Sequence, residues 1–177
     1  QMVLMSRLHP IKGVPLFLSA WSKVNPGGWK LVIAGPDEDG YRKKIEKEID
    51  RLSLRGSVEC IGDVSGSAKS RLLAGADLFV LPSFSENFGV VVAEALSYGL
   101  PVLTTTGTPW EILRDRDCGW WVVPEVEPLS AALREAIALD SDRLIGMQDR
   151  ARARSSEYSW SRIAADTAQI YRWVLGS

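Results

Sequence analysis

Residues 78–105 read LFVLPSFSENFGVVVAEALSYGLPVLTT. Leu78–Leu81 is a short apolar run of strand formers, stopped by Pro82. Residues 88–98 carry Phe88, Val91, Val92, Ala95 and Leu96 at i, i+3, i+4, i+7 and i+8, a stripe suited to a core. Gly99 supplies the expected C-terminal stop, and Val102–Thr105 is a second β-rich run. Strand, helix and strand in so short a span form a unit whose two strands lie parallel in one sheet.

The same alternation extends outward. Strands are expected at residues 2–8, 29–34, 58–61, 102–105 and 119–123. Helices are expected at residues 14–24, 41–54, 67–74, 110–114 and 128–139, with two more from residue 142 to 175. Residues 41–54 show the helical pattern plainly: Ile45, Ile49 and Leu52 fall on one face and charges fill the rest. The fold class is therefore α/β, a Rossmann-like parallel sheet of about six strands with helices on both faces. In such sheets ligands bind at the carboxyl ends of the strands. That singles out the loops at residues 6–13, 35–40 and 82–89.

Composition bounds the function classes. The chain has 177 residues and a net charge of -1, so no whole-surface attraction draws it to nucleic acid or an anionic membrane. Cys60 and Cys118 are too few for a disulfide scaffold and read as small apolar residues. One histidine excludes a His-rich metal site. No apolar run approaches the roughly 20 residues that span a bilayer, so a cytoplasmic setting is expected. Residues 1–177 read as one domain. Because Gln1 leads straight into a buried-strand pattern, the chain is expected to be a piece of something longer.

Glu86 and Glu94 flank the start of the helix at residues 88–98. Alone they would read as a loop acid and a solvent-facing helical acid. Between them Asn87, Phe88 and Gly89 offer backbone N–H groups that a helix start leaves unpaired. Gly89 allows close approach of a ligand. Free N–H groups and the helix dipole suit an anion, and carboxylates suit sugar hydroxyls. A nucleotide-sugar needs both in one place. His9 and the Arg150/Arg152/Arg154 run read as surface features, and Trp120 and Trp121 are expected to face opposite sides of a strand.

The motif running from Ser83 through Glu86, Asn87, Phe88 and Gly89 to Glu94, then Gly99 and Pro101, resembles the E-x7-E region of retaining glycosyltransferases of family 4, which have the GT-B fold. Three further segments agree: Arg7-Leu8 with Lys12-Gly13, residues 31–35, and Ala76-Asp77 with Pro82-Ser83. The resemblance covers nearly the whole chain, but only the C-terminal, donor-binding half of the two-domain enzyme. It implies that Arg7 and Lys12 grip the donor diphosphate and that Glu86 contacts the transferred sugar. It implies that Glu94 accepts hydrogen bonds from the ribose, while Asn87, Phe88, Gly89 and Val90 line the sugar and phosphates. It implies no cofactor and no metal, a UDP- or GDP-linked donor, a missing N-terminal acceptor domain as partner, and a glycan or lipid-linked acceptor. Peripheral membrane association of the full-length enzyme is carried with it. Ser6 departs from the family's usual glycine, and residues 105–111 match its pattern loosely around Gly107 and Glu111. The alternative function is a nucleotide-binding regulatory module without transferase activity. A dinucleotide-dependent oxidoreductase is disfavoured because residues 6–13 hold one glycine and no G-x-G-x-x-G.

Overall fold

A computed structural model describes residues 1–176. Six parallel strands form one sheet: β1 (Met2–Met5), β2 (Leu31–Ala34), β3 (Val58–Gly62), β4 (Leu78–Leu81), β5 (Val102–Thr105) and β6 (Gly119–Val122). Their order is β3-β2-β1-β4-β5-β6, with every neighbouring pair parallel. Eight helices accompany them: α1 (Val14–Val24), α2 (Tyr41–Arg51), α3 (Gly66–Ala74), α4 (Val90–Ser97), α5 (Ile112–Asp115), α6 (Val126–Ile137), α7 (Ser141–Ser155) and α8 (Trp160–Leu175). The Rossmann-like α/β architecture is the one expected from the alternation of runs.

Most strand positions are apolar because both faces of a parallel sheet are covered. MVLM of β1, LFVL of β4 and VLTT of β5 are buried at every position. Only β3, at the edge, alternates buried and exposed residues. Alternate side chains feed two cores. On one face Met2, Leu4, Ile33, Val80 and Leu103 meet Phe17 and Trp21 of α1, Ile45 and Ile49 of α2, and Leu129 and Leu133 of α6. On the other, Val3, Met5, Phe79, Leu81 and Val102 meet Leu73 of α3, Val92 and Leu96 of α4, Leu113 of α5 and Ala151 of α7. Phe17 and Trp21 are fully buried, and each side chain of that size contributes about 1.5–3 kcal/mol or more. Trp120 packs in the first core and Trp121 against the second, the alternation that a strand imposes.

Some boundaries differ from the sequence pattern. α4 begins at Val90, two residues later than its periodicity suggests, because Gly89 takes φ 76° and breaks the helical path. Phe88 therefore stands in the loop, and the buried stripe reduces to Val92, Ala95 and Leu96. α6 starts at Val126, so Pro128 lies within its first turn, where its missing N–H costs nothing. α5 starts at Ile112 and leaves Trp110 outside it. α8 packs little. Ile163, Ile170, Tyr171 and Val174 of its stripe are exposed, as are Trp173 and Leu175.

Candidate functional site

The strand order reverses between β1 and β4, which is where a parallel α/β sheet opens a crevice. The loop after β1 and the loop after β4 form its two sides and are stitched together. The Phe84 N–H donates to the Ile11 carbonyl at 2.8 Å. Gly13 takes φ 66°, and a Cβ there would lie 2.0 Å from the Pro82 carbonyl oxygen. Only glycine fits, in conformation and in space.

A 3-10 turn, Pro10–Lys12, delivers Lys12 to this seam. His9 caps the turn, its Nδ1 accepting from the Ile11 N–H at 3.2 Å. His9 thus has a structural task. Lys12 Nζ then pairs with the Glu86 carboxylate across the crevice, and both side chains are mostly buried. Arg7 lies at the rim, 62% exposed, with Nη1 3.1 Å from both oxygens of Glu38. Glu38 belongs to the loop after β2, which also joins the first loop through the Leu8 N–H on the Pro36 carbonyl at 2.8 Å. The three loops singled out in the sequence are therefore contiguous. Ser6 has no positive φ, so the serine fits where the resemblance often has glycine.

The acidic loop is held from beneath. Thr104 Oγ1 donates to the Leu81 carbonyl at 2.7 Å, and Thr105 Oγ1 donates to the Ser83 carbonyl. Gly107 lies under the same loop, where a Cβ would meet the Phe84 carbonyl oxygen at 2.3 Å. Glu111 is exposed and paired with Arg114. Trp110 is buried, and its Nε1 donates to the Phe88 carbonyl. Its ring lies 5.1 Å from Phe88 and 4.8 Å from Tyr158, while Phe88 and Tyr158 are 5.8 Å apart. Asn87, Phe88 and Val90 are left exposed, and Gly89 is buried at the helix start with no side chain to cap it. The Val92 N–H bonds back to the Gly89 carbonyl at 2.8 Å, and the earliest N–H groups of α4 have no side-chain cap.

Glu94 lies one turn into α4 and is not a free surface acid. Lys69 of α3 donates to both its oxygens, at 2.6 and 2.7 Å. A cavity of about 220 Å³ opens between these elements, lined by Arg7, Gly35, Asp63, Val64, Lys69 and Val91 among others. A larger apolar one, about 540 Å³, is lined by Phe88, Val90, Tyr158 and Ile163, and Glu94 lines this one and not the smaller. Lys69, Glu38 and Trp110 carry no motif, and sequence reasoning missed all three. Trp110 alone had a signal, as a large apolar residue just after the loosely matched Gly107.

Burial pushes the thiols of Cys60 and Cys118 above the usual range, so neither is an activated nucleophile. Among the described residues no three His, Cys, Asp or Glu side chains gather to hold a metal. Among them, too, no helix is long and apolar enough to cross a membrane.

Three ion pairs, Lys12–Glu86, Arg7–Glu38 and Lys69–Glu94, stand around a parallel-sheet switch point, and charges of both signs there fit an anionic, hydroxyl-rich ligand. The sequence model of the family described as Glycosyl transferases group 1 matches residues 1–157. The chain belongs to that family. It is 31% identical over 176 residues to an uncharacterized glycosyltransferase of Methanocaldococcus jannaschii, covering 94% of this chain and 43% of that protein. Sucrose-phosphate synthase from Thermosynechococcus elongatus has the same fold, with a TM-score of 0.88 at 23% identity, over 99% of this chain and 45% of that one. Anabaena HepE, solved in complex with UDP, matches at TM-score 0.83 and 25% identity, over 99% of this chain and 49% of that one. The chain spans less than half the length of the curated relatives it matches.

Proposed function

We propose that this chain is the donor-binding half of a retaining, metal-independent glycosyltransferase of family 4, which takes a sugar from a UDP- or GDP-linked donor. The observation that carries the reading is the Lys12–Glu86 pair, which joins the loops after β1 and β4 at the switch point. The UDP bound by HepE supports the nucleotide part of it.

Each residue has a physical task. Arg7 and Lys12 neutralise the diphosphate as negative charge develops on the leaving group. The Lys12 ammonium has three donors, so it serves Glu86 and a phosphate oxygen together. The unpaired N–H groups around Gly89 and Val90 meet the same phosphates, favoured by the helix dipole. Glu86, held in place by Lys12, accepts from hydroxyls of the transferred sugar. Glu94, held by Lys69, keeps lone pairs for the ribose diol. Asn87 and Phe88 line the sugar. These residues position the donor and stabilise the leaving group.

The acceptor wall belongs to an N-terminal domain of the same, longer protein, outside these 177 residues. The uncovered apolar face of α8 and the short span relative to the matched proteins support that partner. The chain alone is then inactive in transfer, and the acceptor is a glycan or a lipid-linked glycan. The working place is cytoplasmic, with peripheral membrane association of the full-length enzyme.

The test is a thermal-shift panel with UDP, GDP, ADP and their sugar conjugates on the wild type, Lys12→Ala and Glu94→Ala. A ligand at 100 times its Kd stabilises by about 2.7 kcal/mol. One nucleotide class is expected to raise the Tm of the wild type by several degrees, and both variants are expected to lose the shift. Equal shifts in all three proteins would refute the assignment. A regulatory module without transferase activity would bind the free diphosphate and its sugar conjugates alike.

A further inference from the structure

We infer that the base this crevice reads is guanine, selected by Asp63 and Lys69. The inference rests on the donor-site reading above and adds the identity of the nucleotide. The roughly 220 Å³ cavity lies at the carboxyl ends of β1, β2 and β3, and its lining holds Arg7, Asp63 and Lys69 as the charged groups. Lys69 lines that cavity and holds Glu94, so a ribose on Glu94 brings its base to the wall formed by Asp63 and Lys69.

Lys69 links ribose and base. Two of its three ammonium protons go to the Glu94 oxygens, at 2.6 and 2.7 Å. The third remains for a ligand acceptor. Asp63 is exposed and forms no ion pair among the described residues, so its carboxylate is open to a donor. One wall thus offers a full acceptor and a full donor of opposite charge.

Guanine fits that combination. Its N1–H and 2-amino group are adjacent donors that one carboxylate accepts together, and its neighbouring O6 accepts from an ammonium. Uracil presents a single N–H between two carbonyl oxygens, which a carboxylate repels. Adenine sets an acceptor nitrogen beside its amine, with the same repulsion. The discrimination is therefore both attractive and repulsive. A site that hydrogen-bonds a ligand group discriminates strongly against analogues that lack it.

The test is calorimetric titration of the 177-residue chain with GDP, IDP, UDP and ADP at one fixed salt concentration. GDP is expected to bind at least about tenfold more tightly than UDP or ADP. IDP, which lacks only the 2-amino group, is expected to fall about tenfold below GDP, one charge-assisted hydrogen bond. Asp63→Asn is expected to abolish the GDP-over-IDP preference, and its melting curve reports whether the fold is intact. Lys69→Met is expected to weaken every nucleotide, because Glu94 loses its partner, and GDP most of all. UDP or ADP binding as tightly as GDP overturns the guanine assignment and leaves the donor reading standing. Undiminished GDP selectivity in Asp63→Asn overturns it too. Binding of none of the four overturns both.

Discussion

Lys12 and Glu86 reach each other from opposite sides of the crevice, 74 residues apart in sequence, and form an ion pair with both side chains mostly out of solvent. The pair joins the loop after β1 to the loop after β4. It also places a cation and an anion where a donor's phosphate and sugar would meet.

Removing one partner should cost more than removing both. Glu86→Leu leaves the Lys12 ammonium buried without its counter-charge, and a loss on the order of 3 kcal/mol is expected in urea unfolding. Lys12→Met with Glu86→Leu should recover most of that stability. Both proteins should lose donor binding. Single-variant losses that simply add in the double variant would contradict the coupling.

Gly13 and Gly40 have similar positive φ, 66° and 72°, but different surroundings. A Cβ on Gly40 meets nothing within 4 Å, whereas one on Gly13 meets the Pro82 carbonyl oxygen at 2.0 Å. Gly40→Ala should cost about 1 kcal/mol, from backbone strain alone. Gly13→Ala should cost well above about 2 kcal/mol, because the two crevice loops must also separate. Chemical denaturation of the two variants side by side checks the difference.

Trp110 holds the acidic loop through a single polar contact. Trp110→Phe keeps an aromatic ring against Phe88 and Tyr158 but leaves the Phe88 carbonyl without its donor. A stability loss of about 1–3 kcal/mol is expected. Donor affinity should fall more than in a surface control such as Lys47→Ala, since the loop that carries Glu86 is freed. Equal affinities would mean that Trp110 does not set the loop.

The sheet was legible because most strands are short apolar runs and the longer helices between them carry apolar stripes. The three crevice loops followed from that order, and the family resemblance pointed to Arg7, Lys12, Glu86 and Glu94. What was not legible is pairing across long sequence gaps. Nothing local marks Lys69 as the partner of Glu94, 25 residues on, or Glu38 as the partner of Arg7. The start of α4 was misjudged for a related reason. Periodicity sees Phe88 as part of the stripe, but the backbone turn at Gly89 decides where the helix begins.

Stability should fall as the pH rises above about 8.5, the ordinary thiol value. Burial raises the thiol pKa of Cys60 and Cys118 in the folded chain. In that range the unfolded chain holds fewer protons than the folded one, so unfolding is favoured by higher pH. The contribution is complete below the unfolded thiol value and is lost as pH rises through the folded one. Cys60→Ser with Cys118→Ala should flatten the alkaline limb of a Tm-against-pH curve. In iodoacetamide labelling the half-buried Cys60 should react before the fully buried Cys118.

The most direct test is a crystal structure of the chain with a bound nucleoside diphosphate. The account predicts the diphosphate between the loops at residues 6–13 and 82–89, within hydrogen-bonding distance of Arg7 and Lys12. It predicts the ribose hydroxyls on Glu94. A nucleotide seated elsewhere, or one in the crevice that leaves Lys12 and Glu94 untouched, would contradict it.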